Sequence, residues 1–134
     1  MDIRNLLEEK SKEAWSIYLP GISIDCVVCC FHQGVLKVLL TRVRDQELWG
    51  LPGGYVKKEE NLKEAASRIL EERTGAQNIY LQQFKAFGEP NRSEVFFSDY
   101  DHTLWHKQRF ISMGFYALAD YSQVRLIIDE YCDA

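Results

Sequence analysis

Charged side chains in the middle of the chain have the spacing needed to bind a metal ion or an anion. Glu60 precedes Arg68 by eight positions, and Ile69, Glu72 and Arg73 follow at positions i, i+3 and i+4 of one another. On a helix, residues at that spacing project from one face and converge on a common ligand. This face offers one carboxylate, one guanidinium and one apolar side chain. Such a set supplies little to a cation, whereas the guanidinium suits a phosphate.

A helix bounded by two turns must position these residues. Gly54 follows the turn-forming residues 51–53, Asn61 is a helix N-cap residue and Gly75 provides a left-handed stop. We expect Arg68 to be held on its own helix by Glu64 or Glu72. The apolar stripe of the predicted helix comprises Leu62, Ala65, Ala66, Ile69 and Leu70. Ile69 is therefore predicted to lie in the core.

The spacing of these residues resembles the Nudix box, the signature of hydrolases that cleave nucleoside diphosphates linked to another group. The matching positions are Gly54, Glu60, Arg68, Leu70, Glu72 and Gly75, with Ala76 as a weaker match. The resemblance implies an α+β Nudix fold, a mixed β-sheet sandwiched between helices in an α/β/α arrangement. It also implies that Gly54, Glu60, Arg68 and Gly75 build the structure of the box.

Two carboxylates of the family pattern are missing. Ile69 replaces the glutamate that follows the arginine, and Arg73 replaces the second glutamate of the closing pair. In the family such carboxylates hold Mg²⁺, and Arg73 places a permanent positive charge near that position. Glu71 is a poor substitute because it is rotated about 100° from Glu72 around the helix. The box therefore predicts impaired catalysis, with Glu72 and Glu60 as a weak metal set.

Two further stretches, residues 22–27 and 87–92, are similar to the Nudix-like sensor domains of bacterial transcriptional regulators. These regulators carry a winged helix-turn-helix after the Nudix domain and respond to ADP-ribose-type nucleotides or to sugars such as arabinose. The resemblance implies a small-molecule effector, no required cofactor, a homodimer, and DNA binding only through a downstream domain. We accordingly expect the chain to be an N-terminal piece of a longer protein. The predicted ligand-binding residues are Arg73, Glu72, Arg42, Arg44, Trp49 and Arg92.

Two alternative functions stay open from the sequence. The first is a Mg²⁺-dependent hydrolase acting on compounds such as ADP-ribose, with Glu72, Glu71 and Glu60 as catalytic residues. Its base would then come from a loop carboxylate, for which the candidates are Glu94, Asp99 and Asp101. The second is a structural dimerisation module. Ligand binding and turnover separate the three interpretations.

The remainder of the chain predicts the elements around the box. Residues 1–19 form an amphipathic helix ended by Pro20 and Gly21, and residues 20–134 form the Nudix-like domain. Residues 22–31 and 35–44 predict a β-hairpin, and residues 78–87 and 109–120 predict two more strands. Residues 94–106 predict an aromatic loop that acts as a binding or dimer element, with contacts from Phe96, Phe97, Tyr100 and Trp105. Trp49 is assigned to the core or to a ligand ring, with a slight preference for the core.

Composition indicates one globular domain. The chain has 134 residues, 46% hydrophobic content and a net charge of −4, so it carries no electrostatic footprint for nucleic acid. No apolar segment approaches the roughly 20 residues of a membrane span, and charges interrupt the N-terminus where a signal peptide would need an apolar core. These features predict a cytoplasmic protein.

Overall fold

The computed structural model describes residues 2–43, 47–125 and 132–133. Within these ranges the chain forms two α-helices, seven β-strands and three short 3-10 turns. The helices are α1 (Ile3–Ile17) and α2 (Leu62–Thr74), and the strands are β1 (Tyr18–His32), β2 (Val35–Val38), β3 (Arg42–Val43), β4 (Gly53–Lys57), β5 (Tyr80–Phe87), β6 (Ile111–Leu118) and β7 (Cys132–Asp133). The 3-10 turns are Glu94–Phe97, Trp105–Lys107 and Tyr121–Gln123.

The main sheet is mixed, as predicted, and β1 lies at its centre. β1 pairs in parallel with β6 and antiparallel with β2 and β4, while β5 pairs antiparallel with β6. The predicted hairpin is confirmed, and its turn residues Gln33 and Gly34 both have positive φ angles of 53° and 76°. That backbone twist matches the twist of the flanking strands. The second arm is shorter than predicted, because β2 ends at Val38 and Arg42 and Val43 pair with β7 in a separate sheet.

The boundary between α1 and β1 differs from the prediction. The helix ends at Ile17, and Pro20 and Gly21 lie inside β1 instead of ending the helix. The register between β1 and β4 shifts between Tyr18 and Ser23, and Gly21 has a φ of 82°. Proline and glycine are tolerated in a strand at such an irregularity, because the residues between Tyr18 and Ser23 are not paired with β4.

One face of the sheet packs against α2. The shared core is formed by the buried residues Ile24, Cys26, Val28, Leu39, Val56, Ala65, Ala66, Ile69, Leu70, Leu81, Phe115 and Ala117. The prediction for α2 is confirmed: Asn61 caps its first turn, and Gly75 ends it with a φ of 74°. Ile69 is 1% exposed, so the interpretation of this residue as core is also confirmed.

The other face is covered near β4 by α1 and by the segment around Trp105. Side chains alternate along a strand, so Tyr55 points away from the side that Val56 occupies. Tyr55 and Tyr18 pack against a second cluster formed by Ala14, Trp105 and Phe110. Helical layers therefore flank the sheet on both faces. Trp105 is completely buried within the chain, which corrects its prediction as a dimer contact.

Neither of the α-helices that the structure describes is long and apolar enough to cross a bilayer.

Candidate functional site

A cleft of about 960 Å³ opens beside β4, at the edge of the main sheet. One wall comes from α2 and carries Arg68, Ile69, Glu72 and Arg73. The facing wall comes from α1 and from residues 92–110. Residues 47–51 also line the cleft, and β1 contributes Ser23, Ile24 and Asp25 to the lining. The cleft thus lies where both helical layers meet the sheet.

Arg68 braces α2 against the turn that precedes it. Its Nε donates to Glu60 Oε2 at 2.7 Å, and its Nη2 donates to Glu60 Oε1 at 2.9 Å and to the Tyr55 carbonyl at 2.6 Å. The backbone N–H of Lys57 donates to the same carboxylate at 2.9 Å. The hydrogen bond from Arg68 is the main reason that the pKa of Glu60 is lowered. This bidentate ion pair fixes the position of the Glu60 carboxylate beside the cleft.

The last turns of α2 place Glu72 and Arg73 in the cleft. Glu72 is exposed, and its carboxylate lies 3.5 Å from Arg68 Nη1. Arg73 is half-buried, and within the part of the chain that the structure describes it has no ion pair or hydrogen bond. Glu71 points elsewhere, because its carboxylate accepts a hydrogen bond from Gln77 Nε2 at 2.8 Å and does not line the cleft.

The donor set beside the cleft does not fit a magnesium ion. Glu60 has both carboxylate oxygens on Arg68, and Ile69 is packed against Gly54, where an added Cβ would approach the Ile69 side chain to 3.0 Å. Among the described residues, no group of three or more His, Cys, Asp and Glu side chains is placed to hold a metal. Mg²⁺ prefers an octahedral shell of oxygen ligands, of which Glu72 supplies at most a small part.

The other predicted ligand-binding residues are spread around the cleft. Trp49 lines it and is 45% exposed, so the preference for a core position was wrong. The Arg42 guanidinium lies 4.7 Å from the centre of the Trp49 ring and thereby supports the ring from outside the lining. Arg92 lines the opposite wall and donates from Nη2 to the Phe110 carbonyl at 3.2 Å. Arg44 lies outside the described residues.

Three polar residues of the cleft region were not predicted. Asp25 on β1 lies in the cleft and accepts a hydrogen bond from the hydroxyl of Ser112 on β6. His106 lines the cleft although it is only 5% exposed, and burial, followed by the charge of Lys10, lowers its pKa to about 4. The signal for Asp25 was available, since it is the one charged residue in the apolar run 22–31. Nothing local to His106 marks it as buried.

Comparison with protein families matches the NUDIX domain to residues 19–130 of the chain. A curated relative is the ADPR responsive transcriptional repressor NtrR of Acinetobacter baylyi, which is 33% identical over 78 residues. The matched segment covers 54% of this chain and 31% of the relative. The chain therefore matches less than a third of that longer protein.

Solved structures with the same fold come from NrtR of Shewanella oneidensis. The NUDIX domain of NrtR complexed with ADP ribose is 26% identical, with a TM-score of 0.62, and the match covers 91% of this chain and 79% of that one. NrtR complexed with a 27mer DNA is 28% identical, with a TM-score of 0.59 and coverage of 77% and 44%. These matches confirm the predicted α+β fold.

Proposed function

This chain belongs to the NUDIX domain family, and we propose that it is the effector-sensing domain of a transcriptional regulator. The proposed effector is an ADP-ribose-type nucleotide or a sugar, and the proposed binding site is the cleft beside β4. The relatives support this assignment, since NtrR is named as an ADPR responsive repressor and the NrtR structures hold ADP ribose or DNA.

The observation that carries the proposal is the guanidinium of Arg73 in the wall of the cleft, which forms no ion pair with any residue that the structure describes. In the hydrolase pattern this position holds a carboxylate, which binds a phosphate only through a metal ion. A guanidinium binds phosphate directly and in a bidentate manner. Arg68 cannot take that role, because Glu60, Glu72 and the Tyr55 carbonyl already occupy it.

Effector binding in this proposal requires no metal. Ile69 is apolar and buried, and Glu60 is paired with Arg68, so the chain contributes Glu72 as the remaining carboxylate of the box in the cleft. Trp49 adds an exposed aromatic surface on which a base or sugar ring can stack, and the Arg42 guanidinium steadies it. The cleft is thus suited to retention of a ligand and poorly suited to its hydrolysis.

We further propose that such a regulator is a cytoplasmic homodimer and that a downstream domain contacts DNA. This chain has a net charge of −4, so the positive surface for DNA must come from elsewhere in such a protein. Regulators that bind operators with two-fold symmetry are commonly homodimers with the same symmetry. Light scattering at tens of micromolar measures the assembly state, and a strictly monomeric mass contradicts the dimer.

Isothermal titration calorimetry with ADP-ribose, NAD and pentoses tests the proposed site. Arg73→Ala should weaken effector binding about tenfold to a hundredfold, as expected for loss of a hydrogen bond to a charged group. Lys63→Ala is the matched control, because it removes one positive charge from an exposed position of the same helix outside the cleft. EDTA should leave the affinity unchanged. Binding that needs Mg²⁺, or that ignores Arg73, contradicts the proposal.

The same samples, incubated with Mg²⁺, test the hydrolase alternative. We expect no conversion of ADP-ribose above background. Steady turnover that Glu72→Gln abolishes would replace the sensor function with a hydrolase function.

A further inference from the structure

Asp25 occupies an unusual position in the main sheet. Its partner on β4 is Gly53, and its partner on β6 is Gly114. Paired residues on neighbouring strands place their side chains on the same face. Gly53 therefore leaves the β4 side of the carboxylate without a side chain, whereas the rings of Phe84 and Phe87 pack over Gly114 on the β6 side. A Cβ at Gly53 would lie 2.8 Å from Asp25 Oδ1 and 2.5 Å from the Ile24 carbonyl. Any larger residue at position 53 would intrude on this carboxylate.

The fold by itself does not account for a carboxylate at this position. Among the described residues, the hydroxyl of Ser112 is its hydrogen-bond donor. Burial raises the pKa of Asp25, and this effect outweighs the opposing effects of the Ser112 hydrogen bond and the Arg92 charge. A carboxylate has about four acceptor positions, and leaving them unused in a buried site destabilises the protein. The remaining acceptor capacity of Asp25 is therefore available to a ligand in the cleft.

Arg92 provides unused donors in the same cleft. Its Nη2 is bound to the Phe110 carbonyl at 3.2 Å, but its buried Nε has no acceptor within residues 2–43, 47–125 and 132–133. No ion pair within 4.0 Å joins Arg92 to Asp25 in that part of the chain, although the Arg92 charge acts on the Asp25 pKa. The two charged groups are thus close enough to interact and too far apart to satisfy each other.

The unused acceptor positions of Asp25 lie beside unused donors of Arg92. This combination suits a sugar hydroxyl, which donates one hydrogen bond and accepts others. A phosphate does not match, because the negative charge of Asp25 would repel it. We propose that Asp25 and Arg92 form a sugar-binding subsite of the cleft. The Asp25 carboxylate accepts a hydrogen bond from a sugar hydroxyl, and the Arg92 guanidinium donates to a neighbouring sugar oxygen.

This inference rests on the proposed sensor function and specifies how the ligand is oriented in the cleft. Phosphate groups lie toward Arg73 on α2, and the uncharged sugar lies toward Asp25 on β1. ADP-ribose and ADP are suitable probes, because they share the adenosine diphosphate and differ in the terminal ribose. L-Arabinose and D-ribose are added as probes of a sugar without phosphate.

The test is calorimetry of the wild-type chain and Asp25→Asn with these four probes. The amide oxygen of asparagine can still accept from Ser112, but the substitution removes the charge and half of the acceptor capacity. Asp25→Asn should weaken ADP-ribose binding about tenfold to a hundredfold and leave ADP within about twofold. If a free pentose is the ligand, the same loss should appear with that pentose. Glu59→Gln is the control, because it makes the same carboxylate-to-amide change at an exposed position outside the cleft lining.

Other results of the calorimetry overturn the sugar subsite alone or the subsite together with the sensor function. Equal weakening of ADP-ribose and ADP by Asp25→Asn, or no weakening of either, overturns the sugar subsite and leaves the sensor function standing. A wild-type chain that binds ADP-ribose and ADP equally well also overturns the subsite. Failure of the wild-type chain to bind any of the four probes overturns the subsite together with the proposed function. Thermal unfolding excludes misfolding, because Asp25→Asn should melt no lower than wild type once the buried charge is gone.

Discussion

A buried histidine, His106, lies in the lining of the cleft. His106 is 5% exposed and is surrounded by aromatic side chains, with the rings of Phe97 and Tyr55 centred 5.8 and 6.2 Å from its own. Burial, with the charge of Lys10 as a second cause, lowers its pKa to about 4. The imidazole is therefore neutral at physiological pH and contributes an uncharged polar group to a largely aromatic wall.

We predict a specific loss of stability in acid from His106. Its pKa is near 6.5 when unfolded and about 4 when folded, so between these values the unfolded chain binds more protons. The contribution of neutral His106 to the free energy of unfolding is fully present above pH 6.5. It is lost as the pH drops from 6.5 to about 4. Urea unfolding at pH 7.5 and 4.5 should show a loss of about 2–3 kcal/mol that His106→Gln removes.

The exposed His102 serves as the control for this measurement. His102→Gln should retain the acid sensitivity of the wild type. Asp25 acts in the opposite direction, since its raised pKa makes stability fall as the pH rises. The His106 contribution is therefore the difference between the His106→Gln and wild-type profiles. Parallel profiles for these two proteins contradict a neutral, buried His106.

The helix α2 is the element that organises the site, and its ends are secured by local contacts. Asn61 Oδ1 accepts from the Glu64 N–H at 2.8 Å, and Glu64 Oε1 accepts from the Asn61 N–H at 3.1 Å. This reciprocal capping box uses the carboxylate that the sequence offered as a partner for Arg68. At the other end, Gly75 N–H donates to the Glu71 carbonyl at 2.8 Å. Arg73 is thus presented from a helix with defined ends.

Removal of the N-cap should destabilise the domain. Asn61→Ala deletes the acceptor for the Glu64 N–H, and we expect a loss of about 1 kcal/mol in the free energy of unfolding. Ser67→Ala is the control, because Ser67 is exposed within the same helix and alanine favours a helix interior. Denaturant unfolding of both variants measures the difference. Equal stability of the two variants would show that the capping box contributes nothing.

At the scale of the whole molecule, α1 is built into the domain that contains the cleft. The backbone N–H of Trp105 donates to Ser11 Oγ at 2.8 Å, and Trp15 Nε1 donates to the Thr103 carbonyl at 3.2 Å. Trp15 and Trp105 also meet edge to face, with centroids 5.0 Å apart. Because α1 and residues 92–110 line the same wall of the cleft, these contacts hold the two parts of that wall together.

The Ser11 hydroxyl should therefore matter more than its position near the N-terminus suggests. Ser11→Ala leaves the buried Trp105 N–H without its acceptor, and the expected cost is about 1–3 kcal/mol. Ser16 is the matched control, since it lies exposed on the same helix and its hydroxyl donates within the helix to Glu13. Ser16→Ala should change the free energy of unfolding by less than about 0.5 kcal/mol. Similar values for both variants contradict the docking role of α1.

The sequence alone determined those features that depend on near neighbours in the chain. The cap at Asn61, the stop at Gly75 and the turn at Gly34 each follow from the conformational preference of one residue type. The core position of Ile69 follows from helical periodicity, which repeats over a few residues. These rules hold regardless of the rest of the fold, and for that reason the box helix and the hairpin turn were predicted correctly.

Tertiary structure decided which of several available partners each polar or aromatic side chain takes. Arg68 has Glu64 and Glu72 within one helical turn, yet its shortest contacts are to the Tyr55 carbonyl and to Glu60, because the preceding turn folds back beside β4. Burial of Trp105 and exposure of Trp49 likewise depend on packing against distant segments, as the contact between Trp105 and Ser11 shows across 94 positions. Asp25 pairs with Gly53 of β4, which leaves room for its carboxylate, and strand register of that kind is set by the assembled sheet.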